Sequence, residues 1–250
     1  MKTGVVTAFG TDARLVIGQR AVAEGGNEIT AARVLLETLC LDGVLVTADA
    51  LHTQTATAEI ILRRGGDYLF ALKGNRPLMA AEVAEYFADP AQNLTPYQTV
   101  DADHGRIETR LHRVSHAVDW LFSDRRYKDE PRLPGLATIA CVHSTRQIGK
   151  TATTATRYYV SSARLTPEGF ARAVRAHWAI ENSLHWVLDM TFDEDRARNR
   201  RDNGPENLTI LRKLTLNMLR KARPKLPISR KRKRAGWSDD FARTIIGQMR

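Results

Sequence analysis

Residues 175–195 read RAHWAIENSLHWVLDMTFDED, which places His177, Glu181, His185 and Asp189 at four-residue intervals. On a helix, side chains four apart stand one above another, so the four form a polar ladder. Phe170, Val174, Trp178, Leu184 and Leu188 follow the same period, and ideal helical spacing from Phe170 centres that apolar stripe at or beside His177 and Glu181. A carboxylate aimed into an apolar face is costly unless a positive charge meets it. A second acid, Asp49, ends the short apolar run VLVTADA at 44–50. Carboxylates converging from a strand end and a late helix suit a divalent cation. Magnesium takes oxygen ligands and needs one or two carboxylates besides waters and substrate phosphates. Two such ions about 4 Å apart activate a water or 3′-hydroxyl and stabilise the leaving oxygen of a phosphodiester. The plainer alternative is that His177 or an arginine satisfies Glu181.

GVVTAFG and LVIGQRAV read as a hairpin around the turn TDAR. NEITAARVLLETLCLDG has helical spacing at Ile29, Val34, Leu35, Thr38 and Leu39, with Asn27 and Glu28 as caps and Gly43 as a stop. VLVTADA reads as a strand buried on both faces. Thr53 is positioned to cap the helix QTATAEIILRR, which Gly65 and Gly66 end, and DYLFALKGN supplies the next strand and turn. A strand–helix–strand unit predicts parallel strands with a right-handed crossover, so Lys73 and Asn75 join Asp49 at one sheet edge. There they are either phosphate contacts or turn chemistry. After a helix near 78–88, residues 96–162 read as a β-rich insertion with its own small core. Thr166 and Pro167 then open the long helix as N-cap and first helical residue. A further helix covers GPENLTILRKLTLNMLRKA, and Pro224 and Pro227 precede a basic tail. The resulting division is 1–95 first core part, 96–162 insertion, 163–223 C-terminal core helices and 224–250 tail.

With 250 residues and 43% hydrophobic content, the chain can bury one sizeable core or two smaller ones. No run approaches the roughly 18 apolar residues of a membrane helix, and the opening residues lack a signal-peptide stretch. Cys40 and Cys141 sit in apolar contexts and read as packed, reduced thiols of a cytoplasmic protein. The net charge of +10 comes entirely from residues 190–250, which hold 17 Lys and Arg against 7 Asp and Glu. The densest block, SRKRKRAGW, contains Arg230, Lys231, Arg232, Lys233 and Arg234; it suits a polyanion or is simply a solvated tail.

The segments NEITAARVLLETLCLDGVLVTADALHTQ, DYLFALKGN, HGRIETR and RAHWAIENSLHWVLDMTFDED together resemble the H-repeat-associated, ISAs-type insertion-sequence transposases. These belong to the wider DDE group. The resemblance runs nearly end to end, and HWAIENSLHW followed by DMTFDED is its most specific part. It implies an α/β fold: a ribonuclease-H-like mixed sheet flanked by helices, with a β-rich insertion before the last catalytic helix. It implies that Asp49 is the second catalytic aspartate and Glu181 the terminal glutamate. Both would ligate Mg2+ (or Mn2+) for DNA strand cleavage and transfer at terminal inverted repeats and target DNA. It further implies action as homo-oligomers on paired ends. The family carries its first aspartate in an IDGK-like segment on an opening strand. Here only Met1, Lys2, Thr3 and Gly4 precede VVTAF, and Asp12 falls in the hairpin turn. The resemblance therefore implies an N-terminally truncated chain without that strand, one of three metal ligands and the helical DNA-recognition region, and so inactive or impaired alone.

Other residues carry two readings. His177 orients Glu181 or meets a DNA phosphate, or packs beside Trp178. Asn182 binds phosphate or caps a loop; His185 and Asp189 favour a mutual hydrogen bond. His104, Arg106, Glu108 and Arg110 share one face of a strand, touching DNA or pairing among themselves. Trp120, Trp186 and Trp237 read as core or docking residues, and Asp193, Glu194 and Asp195 as partners of nearby arginines. Two rival functions remain: a non-catalytic DNA-binding transposase remnant using the basic end, and a zinc hydrolase using His177, Glu181 and His185. The zinc reading lacks the H-E-x-x-H order of known helical sites.

Overall fold

In the computed structural model, which describes residues 4–103, 105–122, 132–199 and 201–248, the chain opens with an antiparallel hairpin. Its strands, β1 (Val5–Gly10) and β2 (Leu15–Ala21), form a two-stranded sheet of their own. There follow α1 (Glu28–Thr38), β3 (Leu45–Ala48), α2 (Thr55–Arg63), β4 (Asp67–Leu72), α3 (Pro77–Ala88) and β5 (Tyr97–Asp103). Next come β6 (Arg106–Ser115), β7 (Thr138–Ile148), β8 (Thr151–Ser161) and α4 (Pro167–Ile180). A π-helical turn, Glu181–His185, leads into α5 (Trp186–Phe192), and then α6 (Gly204–Lys221), α7 (Ile228–Trp237) and α8 (Asp239–Gly247). The elements divide into two units, Leu36–His177 and the pair Met1–Leu35 with Trp178–Arg250. Among the described residues no helix is long and apolar enough to cross a membrane. His104, expected on the charged face of β6, lies outside the described residues, as do Met1, Lys2 and Thr3.

The unit Leu36–His177 is a six-stranded mixed sheet ordered β3-β4-β8-β7-β6-β5, flanked by helices. β3 and β4 pair in parallel, as the strand–helix–strand pattern predicts, and the other four pairings are antiparallel. Successive side chains of β4 face opposite sides of the sheet. Tyr68, Phe70 and Leu72 pack with Ala58 and Ile61 of α2 and Val83 and Phe87 of α3. Leu69 packs on the other face with Tyr159, Phe170 and Val174. Burying a Phe or Ile side chain contributes roughly 1.5–3 kcal/mol, so this two-sided burial fixes the register and the direction in which β4 points. The turn after α2 is tight. A Cβ on Gly66 would lie 2.9 Å from the Leu41 carbonyl oxygen, and Gly65 has φ +82°. Thr166 caps α4, its Oγ1 accepting from Gly169 N at 3.0 Å.

Several details differ from expectation. Among the described residues the β-rich segment shares its core with the rest of the sheet: β8 pairs with β4, and Ile139, Cys141 and Val160 complete the cluster around Phe70. β5 was not predicted; its alternation is mostly polar because it is a sheet edge. Thr53 does not cap α2. It is fully buried and its Oγ1 donates to Ala71 O at 2.7 Å, stitching the loop after β3 to β4. Cys141 is buried as expected, whereas Cys40 is exposed.

In the second unit, Leu184, Leu188 and Phe192 pack with Leu216 and Leu219 of α6, Phe241 and Ile245 of α8, and Phe9 and Val16 of the hairpin. Asn217 reads β2 as a neighbouring strand would, its Oδ1 accepting from Val16 N at 2.9 Å and its Nδ2 donating to Val16 O at 2.8 Å. The segment expected as a basic tail is helical in α7 and α8, with Ser238 capping the latter. Its fold has a sequence basis: Ile228, Phe241 and Ile245 supply apolar contacts, and Lys231 supplies a cap. Lys231 is buried, its Nζ donating to Leu219 O at 2.8 Å and Ala222 O at 2.6 Å at the C-terminus of α6.

Lys213 is also a buried cation, and burial lowers its ammonium to about 8 from the usual 10.5, with Glu194 opposing the shift. The folded state holds that proton less tightly than the unfolded chain, so stability rises with pH between those two values. Wild type is therefore expected to gain stability relative to Lys213→Met as pH rises from 8 to 10.5, by on the order of 3 kcal/mol. Urea titrations of both proteins across that range check it; parallel curves would contradict it.

Candidate functional site

Asp49 immediately follows β3 and precedes a 3-10 turn, Ala50–His52, so its side chain leaves the end of the sheet. It is 81% exposed. The loop that carries it is tied down at several points. Asn75 Nδ2 donates to Ala50 O at 2.5 Å, while its Oδ1 accepts from Lys73 N at 3.2 Å. Buried Arg76 donates from Nε to Thr53 O at 3.0 Å and from Nη2 to Thr55 Oγ1 at 3.1 Å. Together these bonds lock the loop after β3 onto the loop after β4. The Asn75 side chain thus bonds within these turns, and Lys73 is an exposed cation at the same sheet edge as Asp49.

His177, near the end of α4, faces Asp49. Its Nε2 lies 3.5 Å from Asp49 Oδ1 and its Nδ1 3.1 Å from Thr47 Oγ1. A neutral imidazole with its proton on Nε2 accepts from the threonine hydroxyl through Nδ1 and points N–H at the carboxylate. At 3.5 Å this is an electrostatic contact longer than an ordinary hydrogen bond. Tyr159 lies in the same region: burial first, and the Asp49 charge as a smaller cause, push its phenol upward against the Arg157 charge.

Glu181 opens the π-helical turn, in which Trp186 N–H donates to Glu181 O across five residues. The wider turn changes the phase of the helix, which is why the apolar stripe does not continue straight. Phe170 and Val174 are buried, as are Leu184 and Leu188, but Trp178 is half exposed and the Glu181 side chain is 56% exposed. The expected burial of Glu181 in an apolar face is therefore corrected. Its neighbour is His185, with Nδ1 at 3.3 Å from Oε2. π-turns inside helices often mark functional positions. Asn182 is exposed beside it, and Trp186 and Trp237 are exposed rather than core. Trp120 packs, stacking on Tyr86 with centroids 5.3 Å apart.

Both carboxylates suit a hard cation by donor type. Each presents exposed oxygens, and each has a histidine ring nitrogen within 3.5 Å of its carboxylate. Asp49 lies on the unit Leu36–His177 and Glu181 on the other. Among the described residues no group of three or more His, Cys, Asp or Glu could hold a metal, which the zinc triad of His177, Glu181 and His185 would require. Asp12 lies in the turn of the β1–β2 hairpin.

The charged face of β6 is self-paired. Glu108 meets Arg110 at 2.9 Å and Arg106 at 3.9 Å, and Asp101 of β5 meets Arg110 and, at 2.6 Å, Arg175. Partial burial pushes the Asp101 carboxyl up, but hydrogen bonds and charge from Arg110 and Arg175 hold it below the ordinary carboxylate range. In the basic block, Arg230, Arg232, Lys233 and Arg234 are exposed on α7, and Lys231 is the buried cap. Arg232 donates to Thr191 O and lies over Phe192, and Arg234 lies 4.5 Å from the Phe241 ring centroid. Arg76 and Thr47 were missed by sequence reasoning. An arginine directly before the Pro that starts α3 was the available signal for the first.

The family described as transposase DDE domain matches residues 3–218. The chain is 36% identical over 252 residues to the H repeat-associated putative transposase YhhI of Escherichia coli K12, covering 97% of this chain and 65% of that protein. It is equally 36% identical over 252 residues to the putative protein YbfL of the same strain, with the same coverage. It is 36% identical over 251 residues to the putative transposase YncI of Escherichia coli O157:H7, covering 97% of this chain and 63% of that protein. The chain thus spans a little under two thirds of the length of these relatives. With its mixed α/β sheet and flanking helices, it belongs to the DDE-domain transposase family and has a ribonuclease-H-like fold.

Proposed function

We propose that this chain carries Asp49 and Glu181 as metal ligands of a transposase that cleaves and joins DNA strands at the ends of an insertion element. The observation that carries the reading is an exposed Asp49 at the end of β3, on a chain matched over residues 3–218 by a DDE transposase domain. Asp49 and Glu181 would hold Mg2+ (or Mn2+), which when bound supplies the positive charge that lowers the barrier at a phosphodiester. His177 is a positioning residue: anchored on Thr47, it limits the rotamers of Asp49. Lys73, exposed at that sheet edge, meets a backbone phosphate of the terminal inverted repeat or target DNA.

A specific observation also supports binding without cleavage. Arg230, Arg232, Lys233 and Arg234 are exposed on one short helix, an arrangement that attracts nucleic acid independently of sequence by counterion release. The two readings differ in their dependence on metal.

Mn2+ binding followed by water-proton relaxation is expected to show a site in wild type that Asp49→Asn and Glu181→Gln each abolish. Metal-dependent nicking of supercoiled inverted-repeat DNA, where wild type shows it, should fall at least about 100-fold in both variants. Unchanged Mn2+ affinity in both would refute the ligand assignment. Replacing His177 by Gln, which retains hydrogen bonding, should weaken Mn2+ binding less than Phe does; equal losses would make the histidine a packing residue only. For DNA affinity against salt, Arg230→Gln with Lys233→Gln should lower the magnitude of the log–log slope by about 2. Lys231→Met should leave that slope unchanged while lowering the stability of the α6–α7 junction.

A further inference from the structure

A cavity of about 770 Å³ opens between β1, the end of α5, the connection after it and α6. All of its lining residues lie within the unit Met1–Leu35 with Trp178–Arg250. Four cations border it, Arg196, Arg198, Arg212 and Lys213, against two acids, Glu194 and Asp195. The cations differ in depth. Arg196 and Arg198 are exposed, the Arg212 side chain is 14% exposed and Lys213 is 6% exposed. Lys213 Nζ donates to the neutral Thr7 Oγ1 at 2.6 Å. Glu194 Oε1 is buried and accepts no hydrogen bond among the described residues, and Arg212 Nη1 stands 3.9 Å from it.

We propose that this cavity is a phosphate-binding pocket. A buried ammonium whose hydrogen-bond partner is a neutral hydroxyl, and whose burial the Glu194 charge only partly offsets, is costly until a second anion meets it. A phosphate oxygen supplies a charge-assisted partner to Lys213 and Arg212 at depth, and Arg196 and Arg198 reach the same group from the rim. The vacant acceptor on Glu194 calls for a donor, which a protonated phosphate oxygen, an amino group of a base or a sugar hydroxyl provides. The volume is in the range of sites that enclose a nucleotide-sized ligand. A simple sulfate-sized anion would leave most of it to water. Lys213, protonated in most molecules at neutral pH because its value stays near 8, keeps the pocket cationic under those conditions. His185 lines the cavity and also faces Glu181, so an occupied pocket borders the π-helical turn. The proposal does not depend on strand cleavage: phosphate binding here requires neither metal nor Asp49.

Isothermal titration calorimetry of the full chain in metal-free buffer tests it, with inorganic phosphate, a deoxynucleoside 5′-monophosphate and a short single-stranded oligonucleotide as separate ligands. Wild type is expected to bind at one site for which the three compete. Lys213→Met and the exposed double variant Arg196→Gln with Arg198→Gln should each weaken binding at least about tenfold. The rim variant keeps the test valid if the buried substitution perturbs folding. Tighter binding of the oligonucleotide than of the monophosphate identifies a nucleic-acid strand as the source of the phosphate; equal binding identifies free phosphate compounds, and both support the pocket. No binding by wild type at millimolar phosphate, or wild-type affinity in the rim variant, overturns it.

Discussion

A carboxylate can hold a hard cation at a defined place only where the backbone behind it does not move. Asp49, 81% exposed just past the end of β3, has such a backbone behind it. The Nε2 of His177 stands 3.5 Å from its Oδ1, longer than an ordinary hydrogen bond. Asp101, by contrast, is engaged by two guanidinium groups and serves the sheet. Glu181 repeats the arrangement, with His185 in place of His177.

What holds Asp49 still is the burial of β4 on both faces. Phe70 and Leu69 face opposite layers, and a slip of one residue would exchange them. β3 is paired in register to β4, Ala48 against Phe70, so the end of β3 inherits that rigidity. Thr53, Asn75 and Arg76 then convert a strand end into a fixed loop through four hydrogen bonds to backbone or hydroxyl oxygens. Packing supplies the stability, and polar bonds supply the geometry. In the other unit, Asn217 and Lys231 do comparable work, each using a side chain to satisfy backbone groups that no strand or helix reaches.

Periodicity and end signals made much of this legible in the sequence. The parallel pair β3–β4, the caps Asn27 and Thr166 and the two glycines that end α2 follow from local rules, and the family was readable from motifs spread along nearly the whole chain. What stayed hidden required tertiary information. β5 looks polar because an edge strand need not bury both faces. The β-rich segment shares its core with β4, and no local pattern says which strand a hairpin will join. Glu181 was expected in an apolar face because ideal helical spacing was carried through Leu184, whereas the π turn changes the phase there. Lys231 looked like one more cation in a basic run; its burial depends on the carbonyls at the end of α6. Arg76 carries no periodic signal at all.

The proposed chemistry rests on one cation shared by residues 132 positions apart in sequence, Asp49 and Glu181, on separate units of the chain. Ferrous iron substituted for magnesium, with ascorbate and peroxide, cuts the backbone of a protein next to the bound ion. Mapping those cuts is the most direct measurement of the shared site. The expected result is two cuts, one near residue 49 and one near residue 181, both suppressed together by excess Mg2+. A cut at only one of the two positions, or two cuts that Mg2+ suppresses at different concentrations, would contradict a shared ion.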